Sequence, residues 1–200
     1  VNIKDFAVGD LKLPAEKRHH PITEVIPGQI ITRKTSIDLS VKDGAVVPDA
    51  AKDILKLVVV ERHKASGNIG IGMVKGFGLR QGAFASSIAH DSHNIVAVGL
   101  QDEDIFTAIR EIERLQGGLA VAAQGKVLAS LPLPIAGLLS DEPLETVVQG
   151  LHAVETAAAG LGCTLASPFS TLSFLALPVI PQLRLTDLGL VDVDSFRLLQ

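Results

Sequence analysis

The stretch that decides the fold is "AFASSIAHDSHNIVAVGLQDEDIFTAIREIERLQGG", residues 83–118. Two apolar runs, 83–89 and 95–100, flank five consecutive polar residues, His90 to Asn94. A helix pattern follows at once. Acidic residues fill its first turn, where they complement the helix dipole. Apolar residues then recur at helical spacing until a Gly-Gly pair ends the helix. The stretch therefore predicts two strands joined by a polar loop, and then a helix.

Outside this stretch, strand patterns are more numerous than helix patterns. Strands are predicted within 28–41, within 53–63 and in a hairpin over 119–134 that turns at Gln124-Gly125. A second helix is predicted over 141–162. Because the strands come in clusters, the pattern favours an α+β fold, with the two main helices packed on one face of a mixed β-sheet. Each helix has a single apolar stripe to bury.

The chain has 200 residues, which suits one domain with an additional arm. Residues 1–28 are polar and punctuated by proline, so they are predicted to be an N-terminal arm or linker from a preceding domain, with at most one short strand. Residues 29–200 are predicted to form the domain itself.

Composition excludes several classes of partner. The net charge is −4 and no basic stripe is present, so a nucleic-acid partner is not expected. The apolar runs are far too short to span a bilayer of about 30 Å, so no membrane partner is expected. Cys163 is the only cysteine, which excludes an intrachain disulfide and a cysteine-based zinc motif, and fits a cytoplasmic protein.

The polar cluster offers three candidate accessory residues, His90, Asp91 and His93. Their chemical types suit zinc, manganese or iron. A histidine could instead carry protons while Asp91 orients it. A third interpretation is a hydrogen-bonded loop without a role in chemistry, and the spacing alone does not decide among the three.

A second group of polar residues follows the strand within 53–63. Glu61, Arg62 and His63 are candidate substrate or interface residues, and Asn94 joins them from the first cluster. Both groups lie where a core strand ends. We therefore expect residues 61–63 and 90–93 to meet in one polar concavity, in which each segment supplies partners for the other.

A glycine-rich stretch, "GNIGIGMVKGFG" at 67–78, resembles a dinucleotide-binding motif only in part. Gly70 and Gly72 fit Gly-x-Gly-x-x-Gly, but the third glycine is at 76 rather than 75 and strand-like residues follow. Glycine in a strand permits close approach of another backbone, and this is the interpretation that we favour.

Three blocks carry a resemblance to a known family. They are "VVVERHKASGNIGIGMVKGFGLRQGAFASSIAHDSHNIVAVG" (58–99), "LPLPIAGLLSDEP" (131–143) and "PFSTLSFLALPVIPQLRLTDLGLVDV" (168–193). Together they resemble the C-terminal domain of microbial adenine deaminases, in the amidohydrolase superfamily, over about 25–200.

The resemblance implies a longer, metal-dependent enzyme of purine salvage that hydrolyses adenine to hypoxanthine and ammonia. It implies that a preceding barrel, with a His-x-His pair, holds manganese or iron. This sequence contains no His-x-His, so we expect no metal cofactor in this chain and no deamination by it alone. The implied partners are the remaining domains of the parent enzyme, adenine and further copies in a homo-oligomer.

Two alternatives compete with this accessory-domain interpretation. One is an interaction or oligomerisation module that uses apolar segments such as "LSFLALPVI" (172–180). The other is a small, independent metal-binding domain that uses His90, Asp91 and His93.

Overall fold

A computed structural model describes residues 1–15 and 19–199, so 16–18, within the predicted arm, and residue 200 lie outside the described part. The strands there are β1 (Leu13–Pro14), β2 (His19–Val25), β3 (Thr32–Asp38), β4 (Val41–Lys42), β5 (Ala45–Val46), β6 (Ile54–Val60), β7 (Ile69–Lys75), β8 (Ala83–Ser86), β9 (Ile95–Gly99), β10 (Gly118–Ala123), β11 (Lys126–Pro132), β12 (Leu183–Thr186), β13 (Gly189–Asp192) and β14 (Arg197–Leu198). The α-helices are α1 (Asp102–Arg114), α2 (Leu144–Gly160) and α3 (Pro168–Phe174).

The central element is an eight-stranded sheet in the order β11-β10-β8-β9-β6-β7-β2-β3. Its neighbouring strands are antiparallel except β2 and β7, which are parallel. Two three-stranded sheets, β1-β5-β4 and β12-β13-β14, lie beside it. The predicted α+β class with a mixed sheet is therefore confirmed.

The two main helices lie on opposite faces of this sheet, which corrects the expectation that they share one face. Ile105 and Ile109 of α1 join the core that contains Val58 and Val60, whereas Val154 of α2 joins the core with the alternate residues of β6. Every residue of β6 is buried. Because successive side chains of a strand point to opposite faces, an all-apolar strand needs a cover on both sides.

The N-terminal segment contributes more than the predicted arm with at most one short strand. It forms both β1 and β2, and β2 lies inside the large sheet between β7 and β3. Ile22 is fully buried there beside Met73. Pro21 is tolerated because β2 pairs with β7 only over Ile22 to Glu24, beyond the proline. Where the domain begins stays a prediction.

The C-terminal tail contains a helix that the sequence pattern did not predict. Helix α3 begins at Pro168, and its Phe169 and Leu172 are buried on the same face as α2. Pro168 is the sequence feature that could have predicted this helix, because proline is favoured at the first helical position. Among the described residues, no helix is both long and apolar enough to cross a membrane.

Candidate functional site

Strands β6 and β9 are antiparallel neighbours, and their last aligned pair is Val60 and Ile95. The chain that leaves β6 and the chain that enters β9 therefore meet at the same end of the sheet. The two segments that we expected to lie together do so. We call this region, residues 61–68 and 89–94 with Asp187, the polar edge.

Two side chains of the first segment tie it directly to the second. His63 Nε2 lies 2.8 Å from the carbonyl oxygen of Ser92, which can only accept, so Nε2 carries the proton. The Arg62 guanidinium donates through Nε to the carbonyl of His93 and through Nη2 to that of Ala136, the latter at 2.9 Å. These bonds fix the polar loop against the end of β6.

Arg62 is a buried cation, about 5% exposed. Among the described residues, no carboxylate lies within ion-pair distance of it, and its described acceptors are backbone carbonyls. Burial lowers the pKa of its guanidinium from the usual value. Gly137 closes the site, because a Cβ there would lie 2.7 Å from Nη1. The polar edge therefore has a fixed positive centre beneath its surface.

Glu61 organises the loop that follows β6. Its carboxylate accepts from the amides of His63 (2.5 Å), Lys64 (2.8 Å) and Ser66 (2.9 Å), and from the Ser66 hydroxyl (3.0 Å). Burial favours the neutral acid, but these hydrogen bonds outweigh it and lower the pKa of Glu61 to about 2. Glu61 is thus an ionised structural anchor of the loop.

His90 and His93 flank the exposed Asp91 in a tight loop. Their ring centroids are 6.0 Å apart, and the His90 ring lies 4.6 Å from that of Phe174 in α3. His93 has a left-handed backbone, with φ +50°, so the chain turns back towards β9 without glycine or proline.

His93 is held as a neutral imidazole. Its Nδ1 accepts a 3.4 Å hydrogen bond from the amide of Ala89, so its proton lies on Nε2. Partial burial lowers the pKa of His93 below the usual histidine value, and the nearby His90 and Arg62 lower it further. At neutral pH the ring can therefore donate from Nε2 without carrying a charge.

Asn94 belongs to a partly buried amide–carboxylate network that sequence reasoning missed in part. Its Nδ2 donates to Asp187 at 3.2 Å, and Asn68 Nδ2 donates to the other oxygen of Asp187 at 3.0 Å. Asp187 lies in the turn between β12 and β13, 93 residues from Asn94 in the chain. No local pattern could have assigned it to this site.

The glycines of β7 explain why this turn can approach so closely. A Cβ on Gly70 would lie 1.9 Å from the carbonyl oxygen of Thr186, and one on Gly72 would lie 3.2 Å from Leu190. The glycine-rich stretch thus permits close packing of backbone on backbone, as favoured above.

The described residues do not fit a resident metal ion. No group of three or more His, Cys, Asp or Glu side chains among them is arranged to hold one. Asp91 is exposed, and His90 packs against an aromatic ring. This geometry does not favour an independent metal-binding domain built on His90, Asp91 and His93.

The arrangement suits positioning and recognition more than covalent chemistry. Burial raises the pKa of the Cys163 thiol, so that cysteine is not an activated nucleophile. The polar edge instead offers the neutral imidazole of His93, the exposed Asp91 and the fixed charge of Arg62. Such groups can orient a polar partner or relay a proton beside a reaction centre.

Comparison with known proteins identifies relatives over nearly the whole chain. A family model described as "Adenine deaminase C-terminal domain" matches residues 29–197. An adenine deaminase from Dehalococcoides mccartyi is 56% identical over 199 residues, covering 100% of this chain and 35% of the relative. One from Halalkalibacterium halodurans is 51% identical over 188 residues, covering 94% of this chain and 32% of the relative.

A third relative, the adenine deaminase of Brucella abortus, is 53% identical over 172 residues, covering 86% of this chain and 30% of the relative. The chain therefore spans about a third of the length of the curated relatives that it matches.

Proposed function

Because the chain belongs to the adenine deaminase C-terminal domain family, we propose that it is the accessory C-terminal domain of a longer enzyme that hydrolyses adenine to hypoxanthine and ammonia. The observation that carries this proposal is the 56% identity of the whole chain to one part of a protein named adenine deaminase. The family description assigns that part to the C-terminus.

We propose manganese or iron as the cofactor of the parent enzyme, bound by an amidohydrolase-type barrel outside this chain. When bound, such a metal lowers the pKa of a water molecule and supplies hydroxide near neutral pH. The described residues do not fit that metal, so they would contribute by orienting groups around the reaction and not by holding the ion.

We propose purine salvage as the setting of this reaction and the cytoplasm as its location. A single buried cysteine is in keeping with a reducing compartment. The proposed partners are the remaining domains of the parent enzyme, adenine and further copies of the enzyme.

The polar edge is the part of this domain that we propose to face the metal-bearing domain. The backbone N–H of Asn2 donates to the backbone carbonyl of Arg62 at 2.8 Å, so the first residues run along this edge. Residues that precede Val1 in the parent chain would continue from the same place. Asp91 and His63 are exposed there and available to a second surface.

Adenine turnover by the parent enzyme and by the 200-residue chain tests this proposal. Both are purified from a host without its own adenine deaminase, and ammonia release is measured with added Mn²⁺ or Fe²⁺. We expect turnover by the parent and none above background by the chain. Turnover by the chain alone, or a parent enzyme inactive on adenine, would refute the proposal.

A further inference from the structure

Helix α2 has an apolar face that is wider than the part that the sheet buries. Val147 and Val154 pack towards the sheet. Leu144, Val148 and Leu151, spaced by four and three residues, form a second stripe that is 72%, 41% and 37% exposed. The second stripe lies beside the first, and apolar side chains on a helix are normally buried. The second stripe of α2 therefore lacks a cover in this chain.

The loop that leads into α2 adds two more exposed apolar side chains. Ile135 and Leu139 are 47% and 62% exposed, and their backbones are joined by hydrogen bonds of 3.0 and 3.1 Å. We call these five residues the α2 surface: Ile135, Leu139, Leu144, Val148 and Leu151. Single exposed apolar residues are ordinary, but a group of this size marks an interaction site.

Helix α1 shows that this exposure is not general. Its outward side carries Glu103, Arg110, Glu113 and Arg114, three of which form salt bridges on the helix surface. That pattern is typical of a helix whose outer face meets water. The contrast marks the α2 surface as a contact surface.

The charges around the α2 surface indicate what kind of partner covers it. Between residues 133 and 161 there are four carboxylates, Asp141, Glu142, Glu145 and Glu155, and no lysine or arginine. A two-fold contact between two copies would place the same acidic segment on both sides, and Arg62, the basic residue that contacts the loop through Ala136, is buried beneath it. We therefore favour a partner surface that differs from the α2 surface and carries basic residues at its rim.

We propose that the α2 surface is covered, in the parent enzyme, by the part of the same polypeptide that precedes this domain, through an apolar patch rimmed by lysine or arginine. This proposal rests on the proposed function, which supplies the longer chain. The family relatives leave about two thirds of their length outside the match.

The start of the chain packs on the α1 side of the sheet and lies near the loop that leads into α2. The Val1 amino group donates to Gln116 Oε1 at 3.0 Å. Gly117, which follows Gln116 in the chain, packs against Gly137 so closely that a Cβ on Gly117 would lie 2.2 Å from the Gly137 Cα. Gly137 lies in the loop between Ile135 and Leu139. In the proposed parent enzyme, a domain that precedes Val1 would therefore begin beside the polar edge and the loop that carries Ile135 and Leu139.

Cysteine alkylation measured in two contexts tests the proposal. Val148→Cys and, as a second variant, Leu151→Cys are introduced separately into the parent enzyme and into the 200-residue chain. The alkylation rate at each site is followed by mass spectrometry of its peptide. Thr156→Cys, exposed on another side of α2, is the matched control.

We expect the thiols introduced by Val148→Cys and by Leu151→Cys to react at least tenfold more slowly in the parent than in the chain, and the thiol of Thr156→Cys to differ by less than twofold. Equal rates in both contexts for Val148→Cys and Leu151→Cys would overturn the proposal. So would slow, concentration-dependent labelling of the 200-residue chain together with a dimer in light scattering, which would assign the surface to a second copy. Labelling does not depend on turnover, so this result is read separately from the adenine reaction.

Discussion

Glu61 shows how one side chain can fix the geometry of the polar edge. Its carboxylate accepts four hydrogen bonds from the loop that carries His63. An ionised carboxylate with several donors is stabilised strongly relative to the neutral acid, which is why its pKa falls to about 2. The position of the His63 ring against Ser92 therefore depends on a residue that need not touch any ligand.

Replacement of this carboxylate should lower the free energy of unfolding above pH 5. Glu61→Gln in the 200-residue chain should lower the free energy of unfolding by about 2 kcal/mol at pH 7, because hydrogen bonds to a charged acceptor are replaced by weaker ones. The measurement is urea denaturation followed by far-UV circular dichroism, since the chain has no Trp or Tyr. Glu142→Gln, at an exposed position, should change the value by less than about 0.5 kcal/mol.

The pH dependence of this difference has a definite sign. The folded-state pKa of Glu61, about 2, lies below its usual value of 4.5, so the carboxylate stabilises the fold fully above pH 5 and loses this effect as the pH falls towards 2. The difference in the free energy of unfolding between the wild-type chain and Glu61→Gln should therefore decrease from pH 5 to pH 2. A gap that stays constant or widens over this range would contradict the assignment.

Part of this site could be predicted from residues alone. Glu61 to His63 and His90 to Asn94 each adjoin an apolar run, so their meeting followed once the two runs were assigned as neighbouring strands. Asp187 could not be found in this way. It reaches Asn94 only because the β12–β13 turn folds back over β7, and nothing local in the sequence encodes that contact.

At the scale of elements, the β12–β13 hairpin depends on bare backbone in β7. The Thr186 carbonyl oxygen occupies the space that a side chain at position 70 would need. The same contact holds Asp187 between Asn68 and Asn94. The hairpin and the polar edge are therefore coupled through Gly70.

Gly70→Ala should disrupt this coupling. A Cβ 1.9 Å from a carbonyl oxygen forces the backbone apart, so we expect a loss of roughly 1–3 kcal/mol in the free energy of unfolding, the range for overpacked sites. Gly9→Ala, where a Cβ meets nothing within 4 Å, is the control and should be near neutral. Equal stability of Gly70→Ala and the wild-type chain in urea denaturation would contradict the close docking.

The helices illustrate what a sequence pattern does and does not determine. The apolar stripes of α1 and α2 predicted both helices to within a few residues of their observed bounds. They did not predict the layer of each helix, because a stripe only requires some apolar surface to pack against. The unbroken run Leu57 to Val60 implied a cover on both faces of β6, and that requirement separates the two helices.

At the scale of the whole molecule, the start of the chain, the polar edge and the loop before α2 lie at one end of the domain. Asn2 contacts Arg62, and Arg62 contacts Ala136. This arrangement supports the proposal that the domain presents one end to the rest of a longer enzyme. Its polar groups would act there as positioning residues beside a reaction centre supplied by another domain.

Adenine turnover by the parent enzyme carrying both Asp91→Asn and His93→Ala tests this claim most directly. We expect kcat/KM to fall tenfold or more, since loss of a proton-relay or orienting partner typically costs about 10–10⁴-fold, with an altered pH profile that a purely structural defect would not produce. The same changes in the 200-residue chain should leave its far-UV spectrum unchanged, and His152→Ala, exposed on α2, should leave parent turnover unchanged. Wild-type turnover and pH profile in the double variant would contradict the account.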